Sequence, residues 1–175
     1  EPRTELKDYL GWHRQSKGLW FVGLPLLSGR LSGQIKTTLK EIVEKYQLEI
    51  RLTPNQDILL CNIGDYQKDS VRNILRKVGF SNPEQTQPLA RHALACPALP
   101  LCGLAMTEAE RFMPSILNRI HIQLQRLKIQ KSILIRVTGC PNGCARPYMA
   151  ELALVGSGKN QYQLWLGGSD NLQRL

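Results

Sequence analysis

The sequence predicts an α+β fold in two parts, and three observations carry that expectation. Residues 18–63 run strand, helix, strand, strand, which is half of a ferredoxin-like unit. The stretch Ser-Asn-Pro-Glu-Gln-Thr-Gln-Pro at 81–88 is polar and carries two prolines, the composition of a linker. Beyond it a helical pattern, a buried strand and a hairpin surround two short cysteine-bearing loops. The parts expected are a first half-domain over 1–80, a linker over 81–93 and a second domain over 94–175.

The first strand is the apolar run at 18–24, GLWFVGL. Residues 28–33, with two glycines, read as a turn. A helix follows over about 34–46, because Ile35, Leu39, Ile42, Val43 and Tyr46 recur at helical spacing, and Ser32 is placed to cap it. Residues 48–52 alternate Leu48, Ile50 and Leu52 against Glu49 and Arg51, a strand pattern that Pro54-Asn55-Gln56 ends. Residues 58–63 form a more apolar strand, on which Cys61 is read as core packing. A short helix over 68–78 buries Val71, Ile74, Leu75 and Val78 and stops at Gly79.

In the second part, Thr107-x-x-Glu110 has the spacing of a capping box, and Pro114 suits a first helical turn. Ile116, Leu117, Ile120, Leu124 and Leu127 continue one apolar face, with His121 beside it as a structural residue. Residues 132–137, SILIRV, read as a buried strand. Residues 151–155 and 162–166 pair as a hairpin across the Gly-rich turn 156–160. That turn lacks the spacing and the following helix of a phosphate loop.

Four of the five cysteines stand in two loops, Cys96-Pro-Ala-Leu-Pro-Leu-Cys102 and Cys140-Pro-Asn-Gly-Cys144, separated by residues 103–139. Clustered thiols without a secretory signal point to a metal site rather than a disulfide framework. Pro141 fixes φ, and Asn142-Gly143 accept left-handed backbone, so the chain can wrap between two ligands and aim N–H groups at sulfur. Four thiolates suit a 4Fe–4S cluster or a closed zinc site. A C-x5-C loop with Pro97 and Pro100 is less usual for zinc, whose knuckles are commonly tighter.

These loops, with Thr107-Glu-Ala-Glu-Arg111, the run from Thr138 through Glu151, Gly11-Trp12-His13 and Arg51-Leu-Thr-Pro-Asn-Gln56, resemble the assimilatory nitrite and sulfite reductases that carry sirohaem and a 4Fe–4S cluster. The sulfite branch, in its ferredoxin-dependent form, is the one most resembled. The resemblance implies a sirohaem and 4Fe–4S domain after the linker, truncated here. It implies that Cys96, Cys102, Cys140 and Cys144 hold the cluster and that Cys144 is also the axial sirohaem ligand. It suggests Arg146 as a partner for a sirohaem carboxylate and Asn142 as a donor near the cluster, or as a brace of its own turn. Arg51, Asn55 and Gln56 are carried as cofactor-side contacts. The implied reaction is six-electron reduction of sulfite to sulfide with ferredoxin as donor, in bacterial cytoplasm or plastid stroma. The family is built of two pseudo-symmetric halves, and this chain resembles the second; the principal sulfite-binding cations belong to the first. The 175-residue chain is therefore expected to be inactive alone.

Composition agrees with a globular protein: 42% hydrophobic and 21% charged residues over 175 positions. No apolar run reaches the roughly 20 residues of a membrane helix, and the opening Glu1-Pro-Arg-Thr-Glu is no signal peptide and hints at an excised piece. The +9 net charge favours anionic partners, and sirohaem, sulfite and ferredoxin are all anionic. Lys and Arg are scattered and aromatics are 6%, so nucleic acid is not expected. Three other readings are weighed: nitrite reduction on the same cofactors, a cluster-only electron-transfer module, and a structural zinc module that binds nucleic acid.

Overall fold

Strand β1 (Gly11–Arg14) opens the fold, followed by β2 (Trp20–Leu24), helix α1 (Gly33–Tyr46), β3 (Glu49–Leu52), β4 (Ile58–Ile63) and α2 (Asp65–Lys77). The computed structural model describes residues 9–80, 82–129 and 133–168. Two units divide the chain, Glu1–Thr86 and Gln87–Leu175. No helix among the described residues is long and apolar enough to cross a membrane.

The first unit is an antiparallel sheet in the order β1-β2-β4-β3. Its core joins Val22 and Leu24 of β2, Ile58, Leu60 and Ile63 of β4, Leu39 and Ile42 of α1, and Val71 and Leu75 of α2. Each such side chain contributes roughly 2 kcal/mol on burial. The helical face expected for α1 forms, with Ile35, Val43 and Tyr46 packed against this core. Ser32 does stand at the N-cap, yet its hydroxyl makes no capping bond. Helix α2 starts earlier than the apolar pattern indicates, because the Gln67 side chain accepts the Gly64 N–H at 2.9 Å and closes the first turn.

Strand β3 departs from its sequence pattern. Leu48 is buried, but Ile50 is 45% and Leu52 79% exposed. It is an edge strand paired only to β4 in this sheet, so alternation alone did not reveal which residues reach the core. Lys and Arg are scattered along the chain, yet folding gathers three of them over two tryptophans. Lys68 lies over the rings of Trp20 and Trp12 at 3.0 and 5.7 Å, Arg14 over Trp20 at 4.7 Å and Arg72 over Trp12 at 5.1 Å. Burial, then Arg72, hold the Lys68 ammonium below its ordinary range.

The second unit contains a short helix α3 (Pro88–Arg91), β5 (Leu94–Ala95), α4 (Met113–Arg126), β6 (Ile135–Thr138), β7 (Leu152–Gly158) and β8 (Gln161–Leu166). The sheet runs β5-β6-β7-β8, with β5, β6 and β7 mutually parallel in sequence of pairing and β8 antiparallel to β7. Its main core sets Ile135 and Val137 against Met113, Ile116 and Leu117 of α4. Pro114 sits in the first turn, as expected. Leu127, however, is 67% exposed beyond the helix end.

Two expectations in this unit are corrected. Thr107 and Glu110 form no capping box, since α4 begins at Met113 with Phe112 as N-cap. The Thr107 hydroxyl instead donates to Tyr162 Oη at 3.1 Å, and the Glu110 N–H goes to the Cys96 carbonyl at 3.1 Å. The hairpin forms as read, but its strands extend into the glycines, leaving Lys159 and Asn160 as the turn. The buried strand forms at Ile135–Thr138; Ser132 of the expected run lies outside the described residues.

Candidate metal centre

Both cysteine loops leave the same end of the second sheet. Cys96 follows the last residue of β5, and Cys140 stands two residues after β6. The strands are parallel neighbours, with Ala95 opposite Val137, so their carboxyl ends deliver the loops side by side. Crevices at the carboxyl ends of parallel strands are the usual ligand sites of open sheets.

Gly139 ties the two loops together. Its N–H donates to Cys96 Sγ at 3.2 Å, and its carbonyl accepts from the Met106 and Thr107 N–H groups at 2.8 and 3.2 Å. A Cβ here would stand 2.6 Å from Ala98 Cβ and 2.8 Å from the Thr107 oxygen, so no larger residue fits without backbone movement. Gly156 on β7 supports it from the other side, where a Cβ would meet the Gly139 oxygen at 2.4 Å. Neither glycine was singled out by sequence reasoning as a packing residue. A glycine at the end of a buried strand, just before a ligand loop, was the available signal.

Within the first loop, the Leu101 and Cys102 N–H groups both turn back to the Ala98 carbonyl, at 3.0 and 2.8 Å. Ala98 is fully buried with φ 51°. Within the second, Gly143 adopts φ 71° and its carbonyl accepts the Arg146 N–H at 2.7 Å. The Thr138 hydroxyl donates to the Cys140 carbonyl at 3.0 Å. Cys140 is buried, Cys96 and Cys102 are half-buried and Cys144 is exposed. Leu101, Leu104, Met106 and Tyr148 around the loops expose apolar surface.

Burial pushes the Cys96 thiol up, the Gly139 and Ala98 N–H groups pull it down, and the Cys144 and Cys140 thiols nearby push it up again. Cys140 and Cys144 of the second loop thus both act on Cys96 of the first. Among the described residues, no three His, Cys, Asp or Glu side chains converge at metal-holding distance. The donor chemistry nevertheless fits a thiolate-bound group: sulfur ligands on facing loops, with backbone N–H aimed at sulfur. Cys61 is buried on β4, in the first unit.

Arg136 lies beneath the second loop, on β6, and is 2% exposed. Its Nη1 donates to the Ala145 carbonyl at 3.2 Å. Burial, then the neighbouring Arg146, push its guanidinium down to about 10. Arg146 itself is half-buried in left-handed backbone, φ 54°. Asn142 is exposed at the loop tip.

The other three candidates belong to the first unit. Arg51 lies on β3, where its Nε donates to Glu49 Oε1 at 2.7 Å. Asn55 and Gln56 form the turn between β3 and β4, their N–H groups bonded to the Thr53 hydroxyl and carbonyl at 3.3 and 3.2 Å. The Arg51 guanidinium, hydrogen-bonded to it, holds the Glu49 carboxyl below its ordinary range, on an exposed part of the strand.

Comparison with known proteins accounts for the first unit directly. Residues 13–78 match the family described as the nitrite/sulfite reductase ferredoxin-like half domain. Similarity continues beyond this half domain: the chain is 48% identical over 99% of its length to the ferredoxin sulfite reductase of Synechococcus elongatus. It is 38% identical over 96% of its length to the NADPH sulfite reductase hemoprotein beta-component of Staphylococcus haemolyticus. It spans 29% and 30% of those two proteins. The chain is also similar to the structure of the Mycobacterium tuberculosis NirA protein, with a TM-score of 0.75 and 26% identity over 97% of this chain and 33% of that one. The α+β architecture expected from the sequence is thus the one found.

Proposed function

We propose that this chain is the cluster-bearing part of a ferredoxin-dependent sulfite reductase. The observation that carries the reading is the pair of cysteine loops leaving adjacent parallel strands and joined through Gly139. The similarity to a ferredoxin sulfite reductase along 99% of the chain supports the branch and the donor. Cys96, Cys102, Cys140 and Cys144 would hold a 4Fe–4S cluster, and Cys144, the exposed one, would also be the thiolate offered to sirohaem. When bound, these groups supply one-electron steps and the iron at which sulfite is reduced.

The chain's own residues hold and shield that centre. The Gly139 and Ala98 N–H groups stabilise negative charge on Cys96 sulfur. Exposed Leu101, Leu104 and Met106 supply an apolar rim that keeps water from the cluster once covered. Arg146 offers a cation beside Cys144 for a carboxylate of the macrocycle. Sulfite reduction requires residues beyond these 175, so the isolated chain is inactive.

The reading is tested on anaerobically purified protein by absorption, iron, acid-labile sulfide and zinc content. Iron and sulfide near 4:4, lost in Cys96→Ser and Cys140→Ser, is the expected result. Zinc with no sulfide would sink it in favour of a structural zinc module. Turnover of nitrite well above sulfite by the full-length enzyme would move it to the nitrite branch.

A further inference from the structure

The proposed function leaves Arg136 without a role. All four residues of β6 are buried, which is ordinary for Ile135 and Val137 in the apolar core but not for an arginine. The pleat of the strand turns Arg136 away from that core, toward the face covered by Cys140–Ala145 and the Pro147–Met149 turn. There its Nη1 is bonded to the Ala145 carbonyl, while its buried Nε has no partner among the described residues. No carboxylate pairs with it among the described residues; the ionisable groups that act on it are Arg146, a second cation, and the Tyr148 phenol. A buried guanidinium whose hydrogen bond is to a carbonyl is unfavourable unless an anion compensates it.

We propose that Arg136 is the positioning residue of the second cysteine loop, and that its compensating anion is the thiolate-ligated iron–sulfur group held by that loop. The inference rests on the four-cysteine reading above. Two features carry it. The Ala145 carbonyl directly follows Cys144, so the Arg136 bond fixes the end of the loop at the residue after its second ligand. The unpartnered Nε marks donor capacity that the protein by itself does not use, at a place where four thiolates on one cluster would bring negative charge. A fixed cation there holds the loop closed and makes the cluster easier to reduce, because it stabilises the added electron in a low-dielectric setting.

The test uses the full-length protein, purified anaerobically, as wild type, Arg136→Gln and Arg136→Lys. Circular dichroism reports folding, iron and sulfide report the cluster, and an EPR-monitored redox titration reports its potential. The expected result is a folded Gln variant that keeps part of its cluster with the reduction equilibrium moved about tenfold toward the oxidised form, about 59 mV more negative for one electron. The Lys variant, which keeps the charge, should lie nearer the wild type in potential. A Gln variant with wild-type iron content and unchanged potential overturns the proposal. So does a Lys variant shifted as far as the Gln one, or loss of the fold in both, which would leave Arg136 a packing residue only. Wild-type protein without iron or sulfide would overturn the four-cysteine reading itself, and it would do so before any substitution is made.

Discussion

The two units solve the same problem by different means. The first encloses a sheet of four antiparallel strands with α1 and α2, and its core is made of large aliphatic side chains such as Leu24, Ile42, Leu60 and Ile63. The second has fewer large side chains over its loops and relies on close backbone approach: Gly139 against Ala98 and Gly156, with carbonyls and N–H groups exchanged between loops. In the first, stability comes from burial and the candidate residues Arg51, Asn55 and Gln56 stand at the sheet's edge. In the second, the geometry of the site and the integrity of the backbone packing are the same thing. The lesson is that substitutions should separate the two, harming stability in one unit and metal retention in the other.

Gly139→Ala is the strongest test of that separation. A methyl group 2.6 Å from Ala98 Cβ forces the loops apart and withdraws the N–H from Cys96, so iron retention should fall about tenfold or more, read as iron per protein after gel filtration. Leu60→Ala should cost about 3 kcal/mol in denaturant unfolding, because Leu60 is fully buried, yet leave iron per folded protein unchanged. If it strips iron as strongly as the glycine variant, the contrast between the units is lost.

The smallest expected effect sharpens the comparison within the second unit. Tyr162 accepts from Thr107 and donates to the Glu108 carbonyl at 2.6 Å, bracing the segment that follows the first loop. Tyr162→Phe should cost about 1 kcal/mol. Burial pushes the Tyr162 phenol up from its ordinary 10, so the folded state holds the proton more tightly than the unfolded one. Its contribution is complete below pH 10 and is lost as pH rises through the raised value. Wild-type stability should therefore fall in that alkaline window, and the Phe variant should show a shallower fall in parallel melts.

Much of the first unit was readable because its signals are local. The period of Ile35, Leu39 and Ile42 placed α1, and the apolar run at 58–63 placed β4. Reading failed where a distant partner decided the outcome. Thr107 has the spacing of a cap, but Tyr162, far along the chain, takes its hydroxyl. Ile50 and Leu52 alternate like core residues, but their strand lies at the sheet's edge. Tryptophans 12 and 20 look unrelated until β1 and β2 pair and bring Lys68 of α2 over both.

What the sequence determined by itself was the kind of chemistry: two thiol pairs in Pro- and Gly-bearing loops, since ligand type and tight wrapping depend on residue identity and short spacing. It determined the α+β alternation for the same reason, because hydrophobic period is a local property. Only the tertiary structure decided which backbone groups meet the sulfurs. The N–H of Gly139 reaches Cys96 because β5 and β6 lie parallel and adjacent, a pairing that no spacing in the chain encodes. It also decided that Arg136, unremarkable within SILIRV, would be buried under the loop that carries Cys144, because the pleat and the covering turn, rather than its neighbours in sequence, set its surroundings.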